Sequence, residues 1–179
     1  MGWLKLLVRK YRSFCRLDGN SRRLLLQAFL LLPAVALSLK FWGLGFTQTA
    51  LARWLKATQL PLSSEERNLI IVRAIRMVQL AARYCQPWAN CLKKSLVLWG
   101  LLRRQGIDSE LRIGVKREAG NFEAHAWVEW EGIVLNDTQD VRSRFAMFER
   151  PIEASFQAIR NRGYTNEARL RGLLRSLRR

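Results

Sequence analysis

The stretch NFEAHAWVEWEGIVLND, Asn121 to Asp137, decides the fold, and it holds the chain's one histidine, His125. Apolar and polar residues alternate through FEAHAWVE, the period of a strand with one buried face. IVLND repeats the pattern after WEG, so the segment reads as an antiparallel hairpin. A two-residue turn at Glu131-Gly132 would pair Trp130 with Ile133 and set His125 opposite Thr138. A three-residue loop, Trp130-Glu131-Gly132, with Gly132 in the left-handed position of a bulge, would pair Glu129 with Ile133, Trp127 with Leu135 and His125 with Asp137. The second form suits this glycine and is the expectation. Opposed residues share a face with Cβ atoms roughly 4.5–5.5 Å apart, so that register sets a carboxylate beside the imidazole. Asp140 has the wrong parity for this position.

Upstream, SELRIGV reads as a further strand, joined by a turn at KREAGN. Before it, CLKKSLVLWGLLRRQG reads as a helix. Asn90 is its N-cap and Cys91 its first residue, with Leu92, Ser95, Leu96, Leu98, Trp99 and Leu102 on its apolar side. Arg103 and Arg104 suit its carbonyl end, and Gly106 is a left-handed stop. The preceding segment, SSEERNLIIVRAIRMVQLAARYC, opens with Ser63 and Glu66 in the spacing of a capping box. Leu69, Val72, Ile75, Val78 and Ala82 recur there at helical spacing. The helix ends at QPWAN, where Pro87 disfavours helix at the residue before it.

The N-terminal third is apolar. Leu24 to Leu39 holds no charged residue, between Arg22-Arg23 and Lys40. Crossing a bilayer takes about 20 apolar residues, so a buried or interfacial helix is the expectation over a true span. Gly43 and Gly45 break it, and a short helix follows over Thr47 to Ala57. The C-terminal residues look partly helical, ending in a basic amphipathic helix through Leu170, Leu173, Leu174 and Leu177.

The chain has 179 residues and a net charge of +17. That length supports a substantial core, and the charge favours an anionic partner: an acidic peptide or protein first, an anionic membrane surface second. Nucleic acid ranks third, because no recognised binding module appears. Cys15, Cys85 and Cys91 are odd in number, and the N-terminus is a poor signal peptide, so free thiols in the cytoplasm are expected. One histidine and three scattered cysteines argue against a metal site.

Cys91 at a helix tip, His125 on a strand and Asp137 on the next supply a nucleophile, a base and an orienting carboxylate. Free N–H groups at such a tip also suit an anionic sulfur and the oxyanion of acyl transfer. The plainer reading of Cys91 alone is a small buried apolar residue.

The order of these elements resembles the transglutaminase-like, papain-related superfamily. The segments CLKKSLVLWGLLRRQGIDSELRIGV and FEAHAWVEWEGIVLND further resemble the lasso-peptide biosynthesis B proteins, with spacings of 34 residues from Cys91 to His125 and 12 from His125 to Asp137. The resemblance implies an α+β cysteine peptidase fold, with the Cys helix packed on a small antiparallel sheet. It covers about Ser64 to Asp137, with residues 1–60 as an N-terminal helical extension and 61–179 as the peptidase domain.

It implies removal of a leader peptide from a lasso precursor before a partner cyclase closes the macrolactam. Cys91, His125 and Asp137 are the implied catalytic residues. No leader-binding domain is visible in the first 60 residues, so a separate leader-binding protein is implied. ATP dependence is described for some of the family, yet no phosphate-binding loop is present here. Gln86 and the Cys91 backbone are candidates for the oxyanion hole, and Trp88 and Trp127 for walls of a substrate groove, although core packing is the commoner role of such rings. A transglutaminase-like acyl transferase acting on a peptide or small amine is the alternative, sharing the same triad.

Overall fold

In the computed structural model, residues 17–55, 62–118 and 121–147 are described. Three helices come first: α1 (Gly19–Trp54), α2 (Ser64–Tyr84) and α3 (Cys91–Arg104). Strands β1 (Glu110–Glu118), β2 (Asn121–Trp130) and β3 (Ile133–Val134) follow, then a single turn of helix, α4 (Val141–Arg144), and a short strand, β4 (Ala146–Met147). The strands form one antiparallel sheet in the order β3-β2-β1-β4. The protein is α+β, as the sequence implies.

Local chemistry sets the helix ends. Ser63 and Glu66 form the capping box at the start of α2, with Glu66 N donating to Ser63 Oγ and Ser63 N to Glu66 Oε2. At the end of α3, Gly106 takes φ 77°. Its N–H donates to Arg103 O, and Ile107 N donates to Leu102 O, closing the helix with a left-handed residue that glycine adopts without steric cost.

The break expected after Lys40 is present. α1 leaves helical geometry at Gly43 (φ 77°, ψ −178°) and resumes at once, so two helices meet at a kink there, with Gly45 already inside the second. After the bend, hydroxyls bond back one turn: Thr47 Oγ1 donates to Gly43 O and Thr49 Oγ1 to Gly45 O. One expectation for α2 needs correction: Leu69 and Val72 are exposed, whereas Val78 and Ala82 are buried as expected, in a stripe with Ile71, Ala74, Met77 and Ala81. The run NLIIVRAI offers both stripes; the one bearing alanines lets neighbouring helices approach closely.

One core joins all three helices to the sheet. It gathers Leu24, Ala28, Leu32 and Leu55 of the N-terminal segment with Ala74 and Val78 of α2, Leu96 to Leu102 of α3, Leu111 and Val128. Residues of the 19–55 segment are therefore packed into the same core as the later elements. α3 is buried on every side from Ser95 to Leu102, which fixes its axis against the sheet. β4 was not legible in the sequence: RSRFAM reads as helical, but only Val141–Arg144 is helix before Ala146 pairs with Val115. The expected basic helix at Leu170–Leu177, the end of the short helix at Ala57, and Cys15 lie outside the described residues.

Candidate active site

Cys91 opens α3, half-buried at its tip. Asn90 Oδ1 accepts from Lys93 N at 3.0 Å, the N-cap expected from the sequence. Ser95 follows one turn after Cys91, fully buried, and its hydroxyl donates to Ala126 O at 2.9 Å. That bond pins the first turns of α3 to the strand bearing His125, at the adjacent residue.

His125 faces Gly114 across the β1–β2 ladder. Its ring stacks 5.1 Å from Phe145 and 6.2 Å from Trp127, centroid to centroid. A Cβ on Gly114 would sit 2.8 Å from Phe145 Cβ and 2.9 Å from Trp127 Cη2. The glycine of the Ile-Gly-Val strand is thus the space in which those rings meet beneath the imidazole. Trp127 itself has no exposed surface, so the expectation that it walls a groove is corrected. It packs with Val134, Val141 and Phe145, and its indole N–H donates to Glu129 Oε1 at 2.7 Å.

Asp137 Oδ2 is hydrogen-bonded to His125 Nε2, the partnership expected, but it is reached by a different route. The hairpin turn has two residues, not three: Trp130 pairs with Ile133 and Glu129 with Val134. Both turn residues take positive φ, Glu131 47° and Gly132 79°. This primed turn matches the strand twist, and glycine fills only one of its two left-handed positions. Contacts from elsewhere hold it: Arg142 Nη2 donates to Gly132 O at 2.8 Å, and Arg67 Nη1 lies 3.8 Å from Glu131 Oε1.

Continued, that register would set Asp137 against Ala126. Instead β3 ends at Val134. Leu135 N still donates to Val128 O, but the return bond is taken by a side chain, Val128 N donating to Asn136 Oδ1 at 2.8 Å. Asn136 Nδ2 donates to Ser95 Oγ at 2.9 Å. The carboxamide replaces the Leu135 carbonyl, ends the ladder and turns Asp137 back to His125. On the outer side of β3, the Gln139 amide exchanges two hydrogen bonds with the Val134 backbone. The expected strand IVLND is therefore strand only over Ile133–Val134.

Asp137 is held as a carboxylate. Burial pushes its carboxyl up, but hydrogen bonds from Thr138 N and from His125 outweigh this, and its proton affinity falls below the ordinary aspartate range. Its second oxygen accepts from Thr138 N at 2.7 Å and from Arg144 Nη2 at 3.2 Å. Glu129 is a buried carboxylate on the strand that bears His125. Burial raises its pKa, yet hydrogen bonds from Arg142 and Trp127 lower it further than burial lifts it. Arg112 Nε stands 3.5 Å away on the neighbouring strand.

The site thus unites the Cys91 helix, the His125 strand and the Asp137 segment through Ser95 and Asn136. Gln86 and Trp88 lie in the 3-10 turn just before Cys91, both exposed. Among the described residues, no cluster of three His, Cys, Asp or Glu could hold a metal ion. Sequence reasoning missed Asn136, Arg144, Phe145 and Gly114 as parts of the site, and took Ser95 only for the apolar side of α3. Ser95 carried a signal, a hydroxyl amid leucines at the turn after Cys91. Asn136 carried none without the register.

The chain belongs to the transglutaminase-like superfamily, whose family model matches residues 31–150. It is also similar to the microcin J25-processing protein McjB of Escherichia coli, 36% identical over 59 residues. That match covers 33% of this chain and 27% of the relative's length. No solved structure matches.

Proposed function

We propose that this protein is a cysteine peptidase that removes the leader from a ribosomally made lasso-peptide precursor, with Cys91, His125 and Asp137 as its catalytic triad. The observation that carries the reading is the His125–Asp137 pair on the strand to which Ser95 pins the Cys91 helix. The similarity to a protein that processes microcin J25 supports the substrate class.

In this reading Asp137 accepts a hydrogen bond from His125 Nε2–H, which fixes the tautomer and leaves Nδ1 as the base. His125 takes the Cys91 proton as sulfur attacks the carbonyl of the scissile peptide bond. The tetrahedral oxyanion is met by free N–H groups at the α3 tip, with Gln86 as a neighbouring donor. Imidazolium then protonates the leaving amine, a thioester remains on Cys91, and His125 activates the water that hydrolyses it. Trp88, exposed beside the α3 tip, is the aromatic surface offered to the peptide. A separate leader-binding protein delivers the precursor, and a cyclase closes the macrolactam from the freed core peptide.

The test is incubation of the cognate precursor with this protein and its leader-binding partner, read by mass spectrometry. Cys91→Ala abolishes cleavage, and His125→Ala lowers it about 10²–10⁴-fold, the usual worth of a positioned base. Undiminished cleavage by Cys91→Ala refutes the mechanism. A product that has lost ammonia by joining to an amine, instead of gaining water, makes the protein an acyl transferase.

A further inference from the structure

The outer face of α1 is apolar along most of its length, and nothing in the peptidase reading uses it. Leu26, Leu30, Leu37 and Phe41 recur at helical spacing, all exposed, and Trp42 and Phe46 extend the stripe past the bend. Leu30 is 73% exposed and Phe41 65%. The rings gather at the Gly43 bend: Phe41 and Trp42 lie 5.8 Å apart, Trp42 and Phe46 5.5 Å. Lys40 Nζ stands 5.8 Å from the Phe41 ring. Arg23 and Arg53, both exposed, flank the stripe near its two ends. A contiguous apolar surface of this kind marks an interaction site, not chance exposure.

We propose that this face lies flat on an anionic membrane surface, with α1 in the plane of the interface. Three observations favour a lipid occupant. The exposed positions between Arg23 and Lys40 are Leu26, Leu30, Ala34 and Leu37, with no polar group to give a protein partner a hydrogen bond that fixes register, whereas lipid requires none. Aromatic rings beside a lysine match the chemistry of the headgroup boundary. A chain of net charge +17 with cations at the ends of the stripe complements acidic headgroups.

The orientation follows from packing. By length and composition α1 could cross a membrane. Its opposite face, however, is core from Ser21 through Leu32 and Val35 to Leu51, so the rest of the domain lies along the whole helix. Crossing would carry the charged faces of α2 and the sheet into hydrocarbon. The uncharged run of 16 residues also spans only about 24 Å as helix, short of the roughly 30 Å hydrocarbon core. Lying flat exposes only the stripe to lipid.

The experiment is co-sedimentation of the full chain with phosphatidylcholine vesicles, with and without phosphatidylglycerol. Circular dichroism and thermal melting of each variant check its fold. Binding is expected to the anionic vesicles, weakening with salt, and to fall about tenfold or more in Leu30→Ser/Leu37→Ser and in Trp42→Ser. In bilayers carrying brominated lipids, the Trp42-dependent fluorescence should be quenched most by bromines near the headgroups. Failure to bind anionic vesicles, or binding that ignores the stripe variants, overturns the proposal. So does quenching deepest at the bilayer centre, which would mean a span. A self-association lost in the same variants, without vesicle binding, would make the occupant a second copy of the chain. None of these readouts depends on peptidase activity.

Discussion

Replacing Asn136 by alanine tests whether a side-chain amide, and not the strand ladder, delivers Asp137 to His125. Two hydrogen bonds go: the one from Val128 N at 2.8 Å and the one to Ser95 Oγ at 2.9 Å. Val128 is fully buried, so its N–H loses its partner in a place without water, at about 1–3 kcal/mol. Ser95 keeps its bond to Ala126 O, and its loss of Asn136 adds ~1 kcal/mol or less. The expected destabilisation is about 1–4 kcal/mol, read by urea denaturation followed by circular dichroism.

The consequence for activity is sharper. Without the carboxamide, the Asp137 segment loses its ties to Val128 N and Ser95 Oγ, and the carboxylate is no longer held against His125. Asn136→Ala should then resemble Asp137→Ala in kcat although the carboxylate is intact. The double variant should be scarcely slower than Asp137→Ala alone, because both changes remove one interaction. Additive losses in that cycle would refute the reasoning. So would an Asn136→Ala protein with wild-type kcat and stability within about 0.5 kcal/mol.

Two further outcomes follow from the same geometry. Gly114→Ala places a Cβ against Phe145 Cβ and the Trp127 ring, and overpacking of this kind costs about 1–3 kcal/mol, checked by thermal melting; kcat should fall with it as the rings bearing on His125 shift. Asp137 and Glu129 both have proton affinities lowered on folding, so each contributes stability above the ordinary carboxylate pKa and loses it as pH falls through the depressed value. Glu129→Gln should therefore flatten the acid limb of a stability–pH profile, and an unchanged limb would remove Glu129 from the account.

Much of the site is legible along the chain because its signals are local. Asn90 before Cys91, Ser63 before Glu66 and Gly106 after Arg104 act on backbone groups within a few residues. The alternation around His125 needs only a sheet with a buried side. Local rules misled where two answers satisfied them equally. NLIIVRAI carries two apolar stripes, and only the neighbouring helices choose between them. Trp127 has the alternation of a strand residue whichever face is covered, and only the position of Phe145 and Val141 buries it.

By itself, then, the sequence determined where α2 and α3 start, that Cys91 stands at a tip, and that His125 sits on a strand followed by a returning carboxylate. The tertiary structure decided how that carboxylate arrives. Glu131 accepts a left-handed conformation beside Arg67 and Arg142, groups 64 residues before it and 11 after it in the chain. Asn136 ends the ladder against Val128 and Ser95, the latter 41 residues away. Periodicity and turn preference describe neighbours along the backbone, whereas the placement of Asp137 depends on hydrogen bonds between residues that meet only when the chain has folded.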